Sequence, residues 1–209
     1  MANLITLTRF ILLFVLVALA YRIEPWLRML CFPLVIFIFL ADGIDGYVAR
    51  KLNETSQFGA VFDIAIDRVV ENVLWLVLAD LDLIPVWIAI VFITRGFLVD
   101  SIRSKAIERG QTPFDMIKSP LGTWLVAGRF MRAFYGAVKG VSFSALLLIH
   151  ALHGLAPEFF ASWEDPLSTF TAVFVYIAVV LCLLRAFPVF LEFGLGFAGK
   201  SKNMSDDAG

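Results

Sequence analysis

Charge is scarce in this sequence. Only 17% of its 209 residues are Asp, Glu, Lys or Arg, against 60% hydrophobic. The mean hydropathy of +0.87 exceeds what a water-soluble domain of this size carries. Strict alternation of polar and apolar positions is missing too, which argues against a closed transmembrane barrel. There is no basic excess, since 17 Lys and Arg face 18 Asp and Glu, so nothing points to nucleic acid as a partner. The two cysteines, Cys31 and Cys182, lie inside apolar runs and read as small hydrophobes rather than a disulfide. No basic segment followed by a small-residue cleavage site opens the chain, so the first apolar run reads as a retained span. Internal repeats and low-complexity tracts are absent.

What is present is a set of apolar runs, each near the roughly 20 residues needed to cross a core of about 30 Å. Six spans are expected, near residues 5–21, 27–44, 59–79, 84–104, 131–153 and 167–191. The fold class that follows is an all-α integral membrane bundle of six transmembrane helices, with a short N-terminal interfacial helical segment as a possible addition. Residues 1–199 form one catalytic domain in this reading and 200–209 a disordered tail. Charge placement orients it. The connections near 21–25, 80–84 and 154–166 hold Arg22 as their only basic residue, beside Glu24, Asp80, Asp82, Glu158, Glu164 and Asp165. The opposite side holds Arg50, Lys51, Arg103, Lys105, Arg109, Lys118, Arg129, Arg132, Lys200 and Lys202. By the positive-inside rule both termini are cytoplasmic, and Trp26, Trp87 and Trp163 mark the outer boundary. A cell inner membrane is the expected location. His150 and His153 fall near that outer boundary and read as interfacial, and Lys105, Arg109 and Lys118 as headgroup contacts.

The chemistry concentrates in Asp42-Gly43-Ile44-Asp45-Gly46-Tyr47-Val48-Ala49-Arg50 and, eight residues on, Gly59-Ala60-Val61-Phe62-Asp63-Ile64-Ala65-Ile66-Asp67. A carboxylate at a helix centre in a membrane costs about 2.5–3.5 kcal/mol on insertion scales, so four of them call for positive charge in their midst. Asp42 and Asp45 are spaced i,i+3 and Asp63 and Asp67 i,i+4. Each pair therefore projects from one helix face, and two neighbouring helices can bring all four together. Oxygen-only ligands suit Mg²⁺ or Mn²⁺, and no Cys or His lies near enough in sequence to suggest zinc or redox chemistry. Arg50 can clamp phosphate oxygens, while Gly46 and Gly59 leave room beside the carboxylates. The plainer reading makes the Asp residues helix-end charges paired with Arg50, Lys51 and Arg68; it explains single positions but not the whole set.

The pattern D-x-x-D-G-x-x-A-R, eight residues, G-x-x-x-D-x-x-x-D resembles, at every fixed position, the signature of the CDP-alcohol phosphotransferase family. That resemblance implies that Asp42, Asp45 and Asp63 bind metal, two ions in all, and that Asp67 binds metal and acts as general base. It implies that Gly46, Ala49, Arg50 and Gly59 surround the CMP part of a CDP-lipid, with Thr55 at a nucleotide contact. The reaction it implies is attack of an acceptor hydroxyl on the diacylglycerol phosphorus of CDP-diacylglycerol, with release of CMP. A homodimer among membrane lipids, acting on a small alcohol, is the family's tendency.

The acceptor is less closely specified. Asn3-Leu4-Ile5-Thr6-Leu7-Thr8-Arg9 resembles the opening of bacterial phosphatidylglycerophosphate synthases, with Ile5 in place of Leu. Arg95 and Arg103, eight apart, and Lys139 match the same subfamily, although Gly96 and Gly140 depart from its pattern. Asp67-Arg68 and the Arg129, Arg132 pair look instead like phosphatidylinositol-phosphate synthases. Either way, cations near one end of the bundle favour a phosphorylated acceptor, glycerol 3-phosphate foremost. Arg185, deep in an apolar run, faces the bundle, either on the acceptor or in an ion pair with Glu71 or Asp100. Glu71 extends the Asp63, Asp67 face by one more turn and can pair with Arg68. Intramembrane carboxylates also mark cation- or proton-coupled transporters. A transporter, however, predicts acids at the midplane and broken helices in both halves.

Overall fold

In a computed structural model of the chain, residues 2–52, 57–108 and 120–206 are described, and every element among them is helical. The helices are α1 (Ala2–Ala20), α2 (Pro25–Met29), α3 (Cys31–Leu52), α4 (Gln57–Asp80), α5 (Val86–Glu108), α6 (Pro120–Ala127), α7 (Arg129–Leu155) and α8 (Pro157–Asp206). Among the described residues three stretches are long and apolar enough to cross a membrane, Pro25–Gly43, Arg129–Leu155 and Pro157–Gly194, with a shorter apolar helix at Leu4–Ala20. The described part of the protein is thus all-helical, and its apolar helices are those of an integral membrane protein. Helical backbone continues through 200–206, where the sequence reading places the polar tail.

Local chemistry sets the breaks. Pro25 opens α2, where its missing N–H would have no partner anyway. α4 ends in a Schellman motif, with Leu83 N–H donating to the Leu78 carbonyl (3.0 Å) and Asp82 N–H to that of Ala79 (3.1 Å). Asp82 takes the left-handed position at φ 56°, which Gly usually fills. Gly154 permits a close approach, since a Cβ there would stand 2.9 Å from Pro25 Cγ.

The chain forms two compact units, one of Met1–Ala89 with Val138–Tyr176 and one of Ile90–Ala137 with Ile177–Gly209. In the first, α1 packs against α3 and α4. Its core includes Leu13, Leu16, Val35, Ile38, Leu74, Trp75, Phe143 and Leu147, all essentially inaccessible. The Phe143 ring lies 4.5 Å from that of Trp75 and 5.6 Å from that of Phe39. At one end Tyr21 donates to Asp80 (2.5 Å), and His150 Nε2 sits 3.0 Å from the Ala20 carbonyl, so α1, α4 and α7 are tied together there. The second unit has its own core of Val99, Ile102, Val126, Ala186 and Val189, flanked by Leu125 and Phe193. Large apolar side chains such as Ile11, Phe14, Leu40, Leu76, Phe97, Val180 and Phe187 are exposed, an arrangement that suits lipid rather than water.

Candidate metal centre

Asp42 stands on α3, and Asp63 and Asp67 one turn apart on α4. Because α1 packs against both helices, the three carboxylates converge. Each offers an oxygen, and these oxygens lie within 4.8 Å of one another. The side chains are half-buried, at 41%, 38% and 45% exposure. The centre is open on one side and has a floor.

That floor is Arg9, on α1 and only 3% exposed. Its Nη1 lies 2.8 Å from Asp42 Oδ1 and 3.4 Å from Asp63 Oδ1, and its Nη2 lies 2.7 Å from Asp67 Oδ1. One guanidinium thus answers three carboxylates, as a planar fork of donors can. In the sequence Arg9 stands out only as part of an N-terminal motif, with nothing local that ties it to the Asp cluster. The available signal was physical, since a lone cation within an otherwise apolar helix requires acidic company.

The other expected donor-site residues are placed less fully. Asp45, Gly46, Ala49 and Arg50 continue α3 beyond Asp42, with side chains outside the described residues, and Thr55 lies outside them altogether. Gly59 sits on the first turn of α4, one turn before Asp63.

The expected acceptor residues fall into both units. Lys139, in the first, forms an ion pair with Glu71 (3.0 Å), whose other oxygen meets Arg68 Nη1 at 3.5 Å. Glu71 is thus held between two cations. In the second unit Arg95 is buried, Arg129 and Arg132 are exposed on the first turn of α7, and the side chain of Arg103 lies outside the described residues. Arg185 Nη1 donates to the Leu125 carbonyl (2.6 Å) and Nη2 to that of Val126 (3.2 Å), and its guanidinium carbon sits 5.3 Å from the centre of the Tyr135 ring. These carbonyls end α6, where the helix has run out of N–H partners. Arg185 therefore caps the α6–α7 break. At that break Gly128 N–H donates to the Trp124 carbonyl (3.1 Å), and a Cβ on Gly128 would collide with the same oxygen.

A cavity of about 490 Å³ lies among Leu83, Ile84, Leu146, His150, Phe160 and Val175. It adjoins the far end of α4, about 20 Å along that helix from Asp67 at 1.5 Å per residue, and has no part in the carboxylate chemistry. Three carboxylates open to one side form an oxygen donor set that fits Mg²⁺ or Mn²⁺.

Comparison with known proteins agrees with this geometry. The chain is similar to the CDP-diacylglycerol–glycerol-3-phosphate 3-phosphatidyltransferase of Bacillus subtilis (strain 168), 33% identical over 92 residues that make up 43% of this chain and 48% of that protein. The enzyme of that name from Pseudomonas fluorescens is 33% identical over 113 residues, 53% and 57% of the two chains. The CDP-diacylglycerol–inositol 3-phosphatidyltransferase 1 of Arabidopsis thaliana is 35% identical over 79 residues, 38% and 33%. The chain spans about half the length of the bacterial relatives it matches. The model of the CDP-alcohol phosphatidyltransferase family matches residues 1–198, and the chain belongs to that family.

Proposed function

We propose that this protein transfers the phosphatidyl group of CDP-diacylglycerol to glycerol 3-phosphate and releases CMP. The observation that carries the reading is the convergence of Asp42, Asp63 and Asp67 into one half-open cluster, within a chain of this family. Asp42, Asp63 and Asp67, with Asp45, would hold the divalent ions, two in number. When bound, Mg²⁺ or Mn²⁺ supplies positive charge against the donor's phosphates. Asp67 accepts the proton of the acceptor hydroxyl at a carboxylate oxygen. The acceptor oxygen then bonds to the diacylglycerol phosphorus, and the bond from that phosphorus to the bridging oxygen breaks, so that CMP leaves with the electron pair.

Arg50 grips the donor phosphates, with Gly46, Ala49, Thr55 and Gly59 lining the CMP part. Among the expected acceptor residues, Arg103 and Lys139 are assigned to the phosphate, with Arg95, Arg129 and Arg132 as further cations. Arg185 contributes by holding the α6 carbonyls. Six spans in one bundle, both termini on the cytoplasmic face of an inner membrane, and a homodimer complete the reading. The exposed cations Arg129 and Arg132 favour an inositol phosphate acceptor as the second reading, and one relative is named for transfer to inositol. The deciding assay measures CMP release by the purified full chain with CDP-diacylglycerol and Mn²⁺ or Mg²⁺, offering glycerol 3-phosphate, inositol 1-phosphate and serine in turn. Turnover with none of them would refute the proposal.

A further inference from the structure

We infer that Arg9 is a resident counter-cation of the carboxylate cluster and that it competes electrostatically with the divalent ion for the same three side chains. The inference rests on the metal-binding role proposed above and adds a residue from another helix, with a defined sign of coupling. Arg9 is buried while its three partners are half-open. It therefore reaches them from inside the bundle, and a metal ion approaches from the other side. Arg9 meets Oδ1 of each of the three Asp side chains. Each of the three carboxylates also offers an oxygen to a group that could hold an ion.

The charges decide the sign. Counted over Asp42, Asp63, Asp67 and Arg9 alone the formal charge is minus two, so these groups attract a divalent ion but less strongly than the same carboxylates without Arg9 would. Arg9 and the metal neutralise the same groups, and each weakens the hold of the other by the same factor. The ion-free site is consequently held together by Arg9, and the affinity for metal is kept below the maximum the carboxylates could reach. Even with water-like screening, a unit charge about 5 Å from a divalent ion changes its affinity roughly tenfold.

The test uses full-length protein in detergent micelles, with Mn²⁺ binding followed by electron paramagnetic resonance and thermal unfolding followed with EDTA or with saturating Mn²⁺. Arg9→Gln should bind Mn²⁺ about tenfold or more tightly than the parent, unfold at a lower temperature in EDTA, and gain more from Mn²⁺ than the parent does. Arg9→Lys keeps one charge without the fork of donors and should fall between the two. It also serves if Arg9→Gln cannot be purified without metal, and recovery of that variant only in the presence of Mn²⁺ would itself support the inference. Equal or weaker Mn²⁺ binding by both variants overturns it and leaves Arg9 as scaffold alone. Asp63→Asn separates the two levels of argument. If the parent and Asp63→Asn bind Mn²⁺ alike, or neither binds it, the metal reading fails first. If only the parent binds, the order of the Arg9 variants judges the inference by itself.

Discussion

Replacing Asp63 by Asn is the sharpest perturbation of this centre, because it removes a charge and a metal oxygen while keeping the side chain's shape. Its stability effect can be worked from the geometry. Asp63 holds the longest of the three contacts to Arg9, 3.4 Å against 2.8 Å and 2.7 Å, and its side chain is 38% exposed. A pair this open contributes about 0–1 kcal/mol, and Arg9 keeps its two shorter partners. The loss is offset because one of three mutually repelling carboxylates disappears. The net change should lie within about 1 kcal/mol, a shift of roughly 2–4 °C in Tm for a chain of this size. Catalysis stands differently. Metal charge on a phosphoryl group provides several kcal/mol of transition-state stabilisation, and at 1.36 kcal/mol per factor of ten its loss lowers the rate by about a thousandfold or more. The assay pairs CMP release with thermal unfolding of the same preparation. Parental CMP release from Asp63→Asn would refute the metal assignment, and a Tm fall well beyond 4 °C would refute the view that this residue serves chemistry more than folding.

Other perturbations probe the rest of the molecule. Arg50→Ala should raise the KM for CDP-diacylglycerol more than that for the acceptor, with Arg50→Lys rescuing it only in part; steady-state kinetics with each substrate varied checks this, and a change confined to the acceptor would reverse the two assignments. Arg103→Ala should lower kcat/KM for glycerol 3-phosphate about tenfold to a hundredfold, the loss of roughly 1.5–3 kcal/mol from one charged hydrogen bond, while the KM for the donor stays near the parental value. Arg185→Met should destabilise the fold by about 2–4 kcal/mol, because two carbonyls at the end of α6 lose charged donors. Chemical unfolding in mild detergent measures that loss, and parental stability would show that water satisfies those carbonyls equally well.

The helices and the acidic triad were legible in the sequence because both depend on short-range periodicity. Apolar runs of about 20 residues gave the helices. Spacings of i,i+3 and i,i+4 placed Asp42 and the Asp63, Asp67 pair on helix faces that could meet, and the structure brings those three carboxylates together. The missing parts depend on neighbours distant along the chain. Arg9 meets Asp63 and Asp67 across 54 and 58 residues, and no local period reports that α1 lies against α3 and α4. Lys139 and Glu71 face each other only because α7 and α4 share the core around Trp75 and Phe143. The sequence suggests an acceptor or a carboxylate for Arg185 and does not reveal that two of its nitrogens donate to backbone carbonyls of α6, 59 and 60 residues away.

A single physical rule joins these three cations. In an apolar bundle each charged group must find compensation within reach of its own side chain, so a lone Arg or Lys in an apolar run announces a partner without naming it. The identity of the partner follows from what the packing leaves unsatisfied. For Arg185 that is a helix end whose carbonyls have no further turn to serve them. For Lys139 it includes a glutamate already shared with Arg68. For Arg9 it is a set of acids more numerous than one cation can neutralise. In this last case formal negative charge is left on a half-open face among the described residues. Under the proposed function that remainder takes up a further cation, which is what would set the Arg9 cluster apart from the other two as a place for chemistry rather than for holding helices together.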